Sequence, residues 1–176
     1  MISGRDSVRL LWGAVLLLLS CTTLADDRAA RVKAAFVYNF AKFVEWPANT
    51  FADDAAPIRL CALSSEQDGN RLDLINGRSA QGRDILLQTV DSLAQSVDCQ
   101  ILYLISPHED YSGLLAPLLN KPVLTISEDE GFVDHQGMVS LYIDDNHVRF
   151  RVNLKAAQTT GLKVSARILQ LAQEVK

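Results

Sequence analysis

The sequence predicts an exported α/β domain whose sheet is mostly parallel and ends in an antiparallel hairpin. Three observations carry this. Short apolar runs alternate with segments of helical spacing from about residue 29 to residue 127, the order that builds parallel sheets covered by helices. Met138 to Ile143 and His147 to Val152 then flank Asp144-Asp145-Asn146, the pattern of a hairpin. Finally, apolar and basic residues alternate through Val148-Arg149-Phe150-Arg151-Val152 and pass at Asn153 into helical spacing, so a strand hands over directly to a helix.

The first 25 residues read as a signal peptide. Arg5 and Arg9 give a positive start, Leu10 to Leu19 is an apolar run of about ten residues, and Thr23-Leu24-Ala25 offers a cleavage site before Asp26. The run is short for a membrane span. An alternative reading takes Leu18-Leu19-Ser20-Cys21 as a lipobox, with a lipoprotein signal to residue 20 and Cys21 lipidated. Residues 26–176 are then one domain, large enough to bury a core.

The elements follow in order. Residues 29–46 predict a helix with Phe36, Val37, Phe40, Ala41, Phe43 and Val44 on one arc, ended at Trp46-Pro47 because the residue before proline leaves the α region. Ala48 to Pro57, with its prolines, Asn49 and paired Asp, predicts a mobile linker. Ile58 to Leu63 is a strand. Ser65 caps a helix to about Asn76, stopped by Gly77. Asp84 to Val90 and Gln100 to Ile105 are strands, the latter apolar enough to be covered on both faces. Pro107 opens a helix through Leu119, and Pro122 to Ser127 is the fourth strand. After the hairpin, two helical pieces, about 153–160 and 165–175, are separated by Gly161. Together these make a Rossmann-like three-layer sandwich, without the G-x-G-x-x-G that would mark a dinucleotide site.

Charge and motifs narrow the function. The chain has 17 basic and 21 acidic residues, net −4, and losing residues 1–25 makes it slightly more acidic. Without a basic block it is a poor nucleic-acid binder. There is no G-x-S-x-G, H-E-x-x-H or Walker motif, and Cys61 and Cys99 are too far apart for a C-x-x-C centre. The sequence therefore predicts no enzyme, cofactor or metal site. The three histidines do not alter this. His108 follows Pro107 at a strand end, His147 sits on the hairpin, and His135 closes the acidic loop Glu128 to His135, which reads as solvated rather than as a hard-cation site. Cys61 and Cys99 form an even pair for an oxidising compartment, read as one bond, with two buried thiols as the alternative. Two residues are candidates for partner contact. Trp46 ends the first helix, and Leu169 lies off the last helix's apolar stripe of Val164, Ile168, Leu171, Ala172 and Val175. A small ligand would bind at the carboxyl ends of the parallel strands, near Ser64, Ser106 and Ser127.

Several separated segments resemble the YfiR family of exported proteins. They are Lys33 to Pro47, Ile58-Arg59-Leu60-Cys61, Cys99-Gln100-Ile101-Leu102-Tyr103, and Val148 to Ala157 followed by Gly161-Leu162-Lys163-Val164-Ser165. The resemblance implies a Rossmann-like periplasmic homodimer that binds the periplasmic sensor region of an inner-membrane diguanylate cyclase and holds it inactive. Cyclic-di-GMP and biofilm formation are thereby kept down. It also implies control by an outer-membrane lipoprotein partner, and it matches Cys61 and Cys99 to one family disulfide. The best-known members carry a second cysteine pair, whereas Gly131 to Tyr142 here has none and Val133 and Val139 stand in that neighbourhood. Redox switching through a second bond is unavailable to this chain. The alternative function is a periplasmic small-molecule-binding module serving a sensor kinase or transporter.

Overall fold

A computed structural model of the chain describes residues 27–63, 71–96, 98–105 and 111–176. The signal and lipobox readings, Cys21, Ser64, Ser65, Ser106, Pro107 and His108 lie outside them.

Eight strands form one sheet. In chain order they are β2 (Ile58–Leu63), β3 (Ser79–Ala80), β4 (Arg83–Val90), β5 (Ile101–Leu104), β6 (Leu124–Ser127), β7 (Val139–Asp144), β8 (His147–Val152) and β10 (Glu174–Val175). Their spatial order is β10-β8-β7-β6-β5-β2-β4-β3. Strands β4, β2, β5, β6 and β7 are mutually parallel, and β7–β8 is antiparallel. This is the Rossmann-like arrangement the sequence predicts. Asp144 pairs with His147 across a two-residue turn. Asp145 and Asn146 both have positive φ there, as a type I′ turn requires.

Period-two alternation divides the core between two faces. Leu60, Ala62, Ile101, Tyr103, Leu124, Ile126, Leu141 and Phe150 share one apolar cluster with Val37, Phe40 and Ala41 of the first helix, α1 (27–43). Cys61, Leu102 and Leu104 share the other with Tyr111 and Leu115 of α2 (Tyr111–Leu115), Leu118 and Phe132. Two short helices, α3 (Leu154–Thr159) and α4 (Ala166–Leu169), lie on the α1 side, where Ala157 and Ile168 join its core. Among the described residues no helix is long and apolar enough to cross a membrane.

The structure departs from the sequence reading in five places. The first helix stops at residue 43, not 46. Val44 and Glu45 form β1 (Val44–Glu45), which pairs antiparallel with β9 (Lys163–Val164), so extended backbone begins two residues before the position Pro47 constrains. The amide of Gln81 donates to the α1-end carbonyls of Ala41 and Val44 at 2.7 Å each. The expected linker is a tied loop. Arg83 donates to the carbonyls of Asp53 and Ala56 and lies 3.9 Å over the Phe51 ring. In place of a helix ending at Asn76, the described residues show a 3-10 turn, Leu72–Ile75. The helix through Leu119 is broken into α2 and a 3-10 turn, Ala116–Leu118, at Pro117. The last helix ends at Leu169, because Gln173 and Lys176 donate to the β8 carbonyls of Phe150 and Val152 and draw Glu174–Val175 into the sheet. The stripe drawn for one long helix therefore dissolves. Val164 lies in β9, while Leu171 is 66% exposed.

The strand-to-helix joint at Asn153 forms as expected. Its Oδ1 accepts from the Ala156 amide at 2.9 Å, which caps α3, and its Nδ2 donates to the Val133 carbonyl at 3.2 Å.

Candidate functional site

In parallel sheets, ligands bind at strand carboxyl ends where the strand order reverses. Here that point lies between β2 and β5, since β4 continues the sheet on one side and β6 on the other. Ser64 and Ser106, expected to line it, fall outside the described residues. Ser127, at the end of β6, is described and fully buried.

Two hydrogen-bonded groups are built at the strand ends around Ser127. In the first, Glu128 accepts from the Tyr103 hydroxyl at 2.7 Å through Oε1 and from the Lys33 ammonium through Oε2. One carboxylate thus joins α1, β5 and β6. Tyr103 faces the α1 side of β5 with 1% of its surface exposed. A buried phenol needs a partner, and Glu128 supplies it. Burial raises the Tyr103 pKa well above its ordinary value, and the negative charge and hydrogen bond of Glu128 raise it further. In the second group, the Tyr111 hydroxyl donates to Asp129 Oδ2 at 2.9 Å and stands 3.4 Å from Ser127 Oγ. Ser127 Oγ accepts from the Asp129 amide, and Asp129 Oδ1 accepts from the Gly131 amide, capping the 3-10 segment Glu130–His135.

Each named carboxylate already accepts from named donors. The acidic loop is likewise divided among separate tasks. Glu128 and Asp129 act as above, while Asp134 pairs with Lys176 and Arg151, whose hydrogen bonds hold its carboxyl below the ordinary range. Among the described residues no three His, Cys, Asp or Glu side chains are grouped to hold a metal.

Sequence reasoning singled out Ser127 but missed the roles of Lys33, Tyr103 and Glu128 and the buried hydroxyls of Thr125 and Ser140. Thr125, Ser127 and Ser140 alternate with apolar neighbours and are all buried. Thr125 Oγ1 accepts from the Met138 amide and Ser140 Oγ from the Val133 amide. The signal was present: a tyrosine in a strand read as covered on both faces, and hydroxyls repeating every second residue.

The other singled-out residues lie apart from this end. Trp46 is half-buried, donates from Nε1 to the Gln100 carbonyl at 3.2 Å, and meets Phe51 edge-on. Leu169 is half-buried against the core of the α1 face. Cys61 and Cys99 are joined in a disulfide across the start of β5, with Cα atoms 6.0 Å apart. Along α1 and past α4, the exposed Val32 and Leu171 and the half-buried Phe36 and Phe43 line adjoining grooves.

Residues 30–173 match the family model described as YfiR/HmsC-like, DUF4154. The chain belongs to the YfiR/HmsC-like family. Membership suggests a regulator of diguanylate cyclase signalling. No curated protein matches the chain. Among solved structures, this YfiR/HmsC-like chain is similar to an ABC domain from Streptococcus pneumonia in complex with L-Trp, at 14% identity and TM-score 0.44 over 67% of this chain. It is also similar to a conserved domain protein from Vibrio cholerae, at 11% identity and TM-score 0.43 over 68% of this chain. The match covers 55% of the length of each of these two proteins.

Proposed function

We propose that the protein is an exported periplasmic repressor. It binds the periplasmic sensor region of an inner-membrane signalling protein, of the diguanylate cyclase class, and holds it in an inactive arrangement. The observation that carries this reading is the family match across residues 30–173, which takes in both sheet faces, the disulfide and the strand-to-helix joint. Repression by binding alone needs no catalytic group. A protein that prefers the inactive state of its partner shifts the population by its differential affinity.

We assign partner contact to the apolar strip of Val32, Phe36, Phe43 and Leu171. Leu171 is 66% exposed and Val32 38% exposed, more than the core needs. Trp46 and Leu169 contribute only their exposed edges. The cysteine count supports repression without redox switching. The stretch that carries a second pair in the best-known family members has Val133 and Val139 here, both buried.

The test is partner capture and signalling together. Leu171→Asp should leave melting unchanged within about 0.5 kcal/mol, as exposed substitutions do, yet abolish capture of the cyclase sensor domain and raise cyclic-di-GMP. Full repression by Leu171→Asp would move the contact elsewhere. Absence of capture by the unaltered protein would reject the reading.

The strand-end polar groups favour a second reading, a small-molecule-binding module serving a sensor kinase or transporter. A ligand that raises the melting temperature in the absence of any protein partner, and loses that effect in Glu128→Gln, would support it.

A further inference from the structure

A groove of about 270 Å³ opens at the other end of the sheet, between the α2 end of the chain and α3. Its walls are Leu115, Leu118, Val123 and Met138, all buried, and Leu119, which is 56% exposed. Asn120, Gln136, Lys155 and Thr159 are the exposed polar residues that line it. Lys155 is the one ionisable residue of the lining, and it has no acidic neighbour there. The Thr159 and Thr160 hydroxyls, also in the lining, donate to the carbonyls of Lys155 and Ala157.

An apolar trough with an ammonium and two amides at its edge matches one ligand chemistry. Burying alkyl surface favours a chain, at about 25 cal/mol per Å². The edge donors favour an anionic head and disfavour a cationic one. A cavity of about 150 Å³ accommodates benzene, so this groove has space for a chain longer than six carbons.

We propose that this groove binds a single-chain amphipathic anion, a medium-chain fatty carboxylate, with the chain against Leu118, Leu119 and Met138 and the head at Lys155. The site is separate from the strip assigned to the partner and from the strand-end carboxylates. It does not rest on the repressor reading.

The test uses the purified chain without its signal segment and sodium decanoate below its micelle concentration, followed by amide chemical shifts and calorimetry. Decanol, decyltrimethylammonium and a lysophospholipid are the comparators. Saturable decanoate binding is expected, with shifts confined to residues 115–123, 136–138 and 153–160. Decanol should bind more weakly and the cation more weakly still. Tighter binding of the lysophospholipid than of decanoate would transfer the site to a lipid source and overturn the free-carboxylate assignment. Lys155→Ala should weaken decanoate by about two- to fivefold, the range of an exposed charge pair, and leave decanol unchanged. Leu119→Glu, at an exposed position, should abolish decanoate binding while the fold persists. Absence of saturable binding to folded protein, equal binding of all single-chain probes, or binding unaffected by both variants would each overturn the proposal.

Discussion

Removing the Cys61–Cys99 bond should cost the domain more stability than any other single covalent change. The bond closes a loop across 38 residues. Its chain-entropy contribution for that loop is about 4 kcal/mol. Both cysteines are buried on the α2 face beside Val90 and Leu102. Alanine is therefore the clean substitution, since serine would bury a hydroxyl among apolar neighbours. Lost sulfur packing adds roughly 1 kcal/mol per site. Cys61→Ala and Cys99→Ala should each lose about 4–5 kcal/mol, and the double variant little more, because the bond can be lost only once. In a domain of this size that loss lowers the melting temperature by roughly 8–20 °C. The assay is thermal and urea denaturation of the unaltered protein and the three variants, with and without reductant. Reduced unaltered protein should lose the bond's contribution but keep its sulfur packing, and so stay about 2 kcal/mol above the double variant. Additive losses in the two single variants, or no effect of reductant on the unaltered protein, would refute the reasoning.

Three further outcomes are expected. A Cβ added at Gly137 would lie 2.3 Å from the buried Phe132 ring, so Gly137→Ala should destabilise by about 1–3 kcal/mol in urea denaturation, and Phe132→Leu in the same chain should recover part of it. Tyr103 holds its proton to higher pH in the folded than in the unfolded state. Its contribution is complete below about pH 10, the ordinary tyrosine value, and is lost as pH rises from there through the folded value; Tyr103→Phe should flatten that alkaline limb in pH-dependent melting. Asn153→Ala removes the α3 cap and should cost about 1 kcal/mol in denaturant titration, leaving partner capture intact.

The parallel core of the fold was legible because it depends on period-two alternation that is local in sequence. Ile58 to Leu63 is apolar except at Arg59, Ile101 to Leu104 is apolar throughout, and the Asp145-Asn146 turn sets its hairpin by itself. What was not legible depends on distant partners. Nothing near Val44 announces that β9 will pair with it. The Glu174–Val175 strand has the composition of a helix end and becomes a strand because β8 leaves an open edge. The same holds at the candidate site. Ser127 was found from strand-end topology alone, whereas Glu128 joins residues 95 and 25 positions away and is visible only once α1 lies on the sheet. The Leu119 groove escaped for a related reason. Leu119 reads as one more helix residue until Pro117 turns the chain and leaves it outside.

The most direct test of the repressor account is cyclic-di-GMP in cells lacking the gene, compared with cells complemented by the unaltered protein or by Leu171→Asp. The account predicts a rise on deletion, reversal by the unaltered protein and no reversal by Leu171→Asp. Unchanged cyclic-di-GMP on deletion, with no sensor domain recovered on the purified protein, would contradict it.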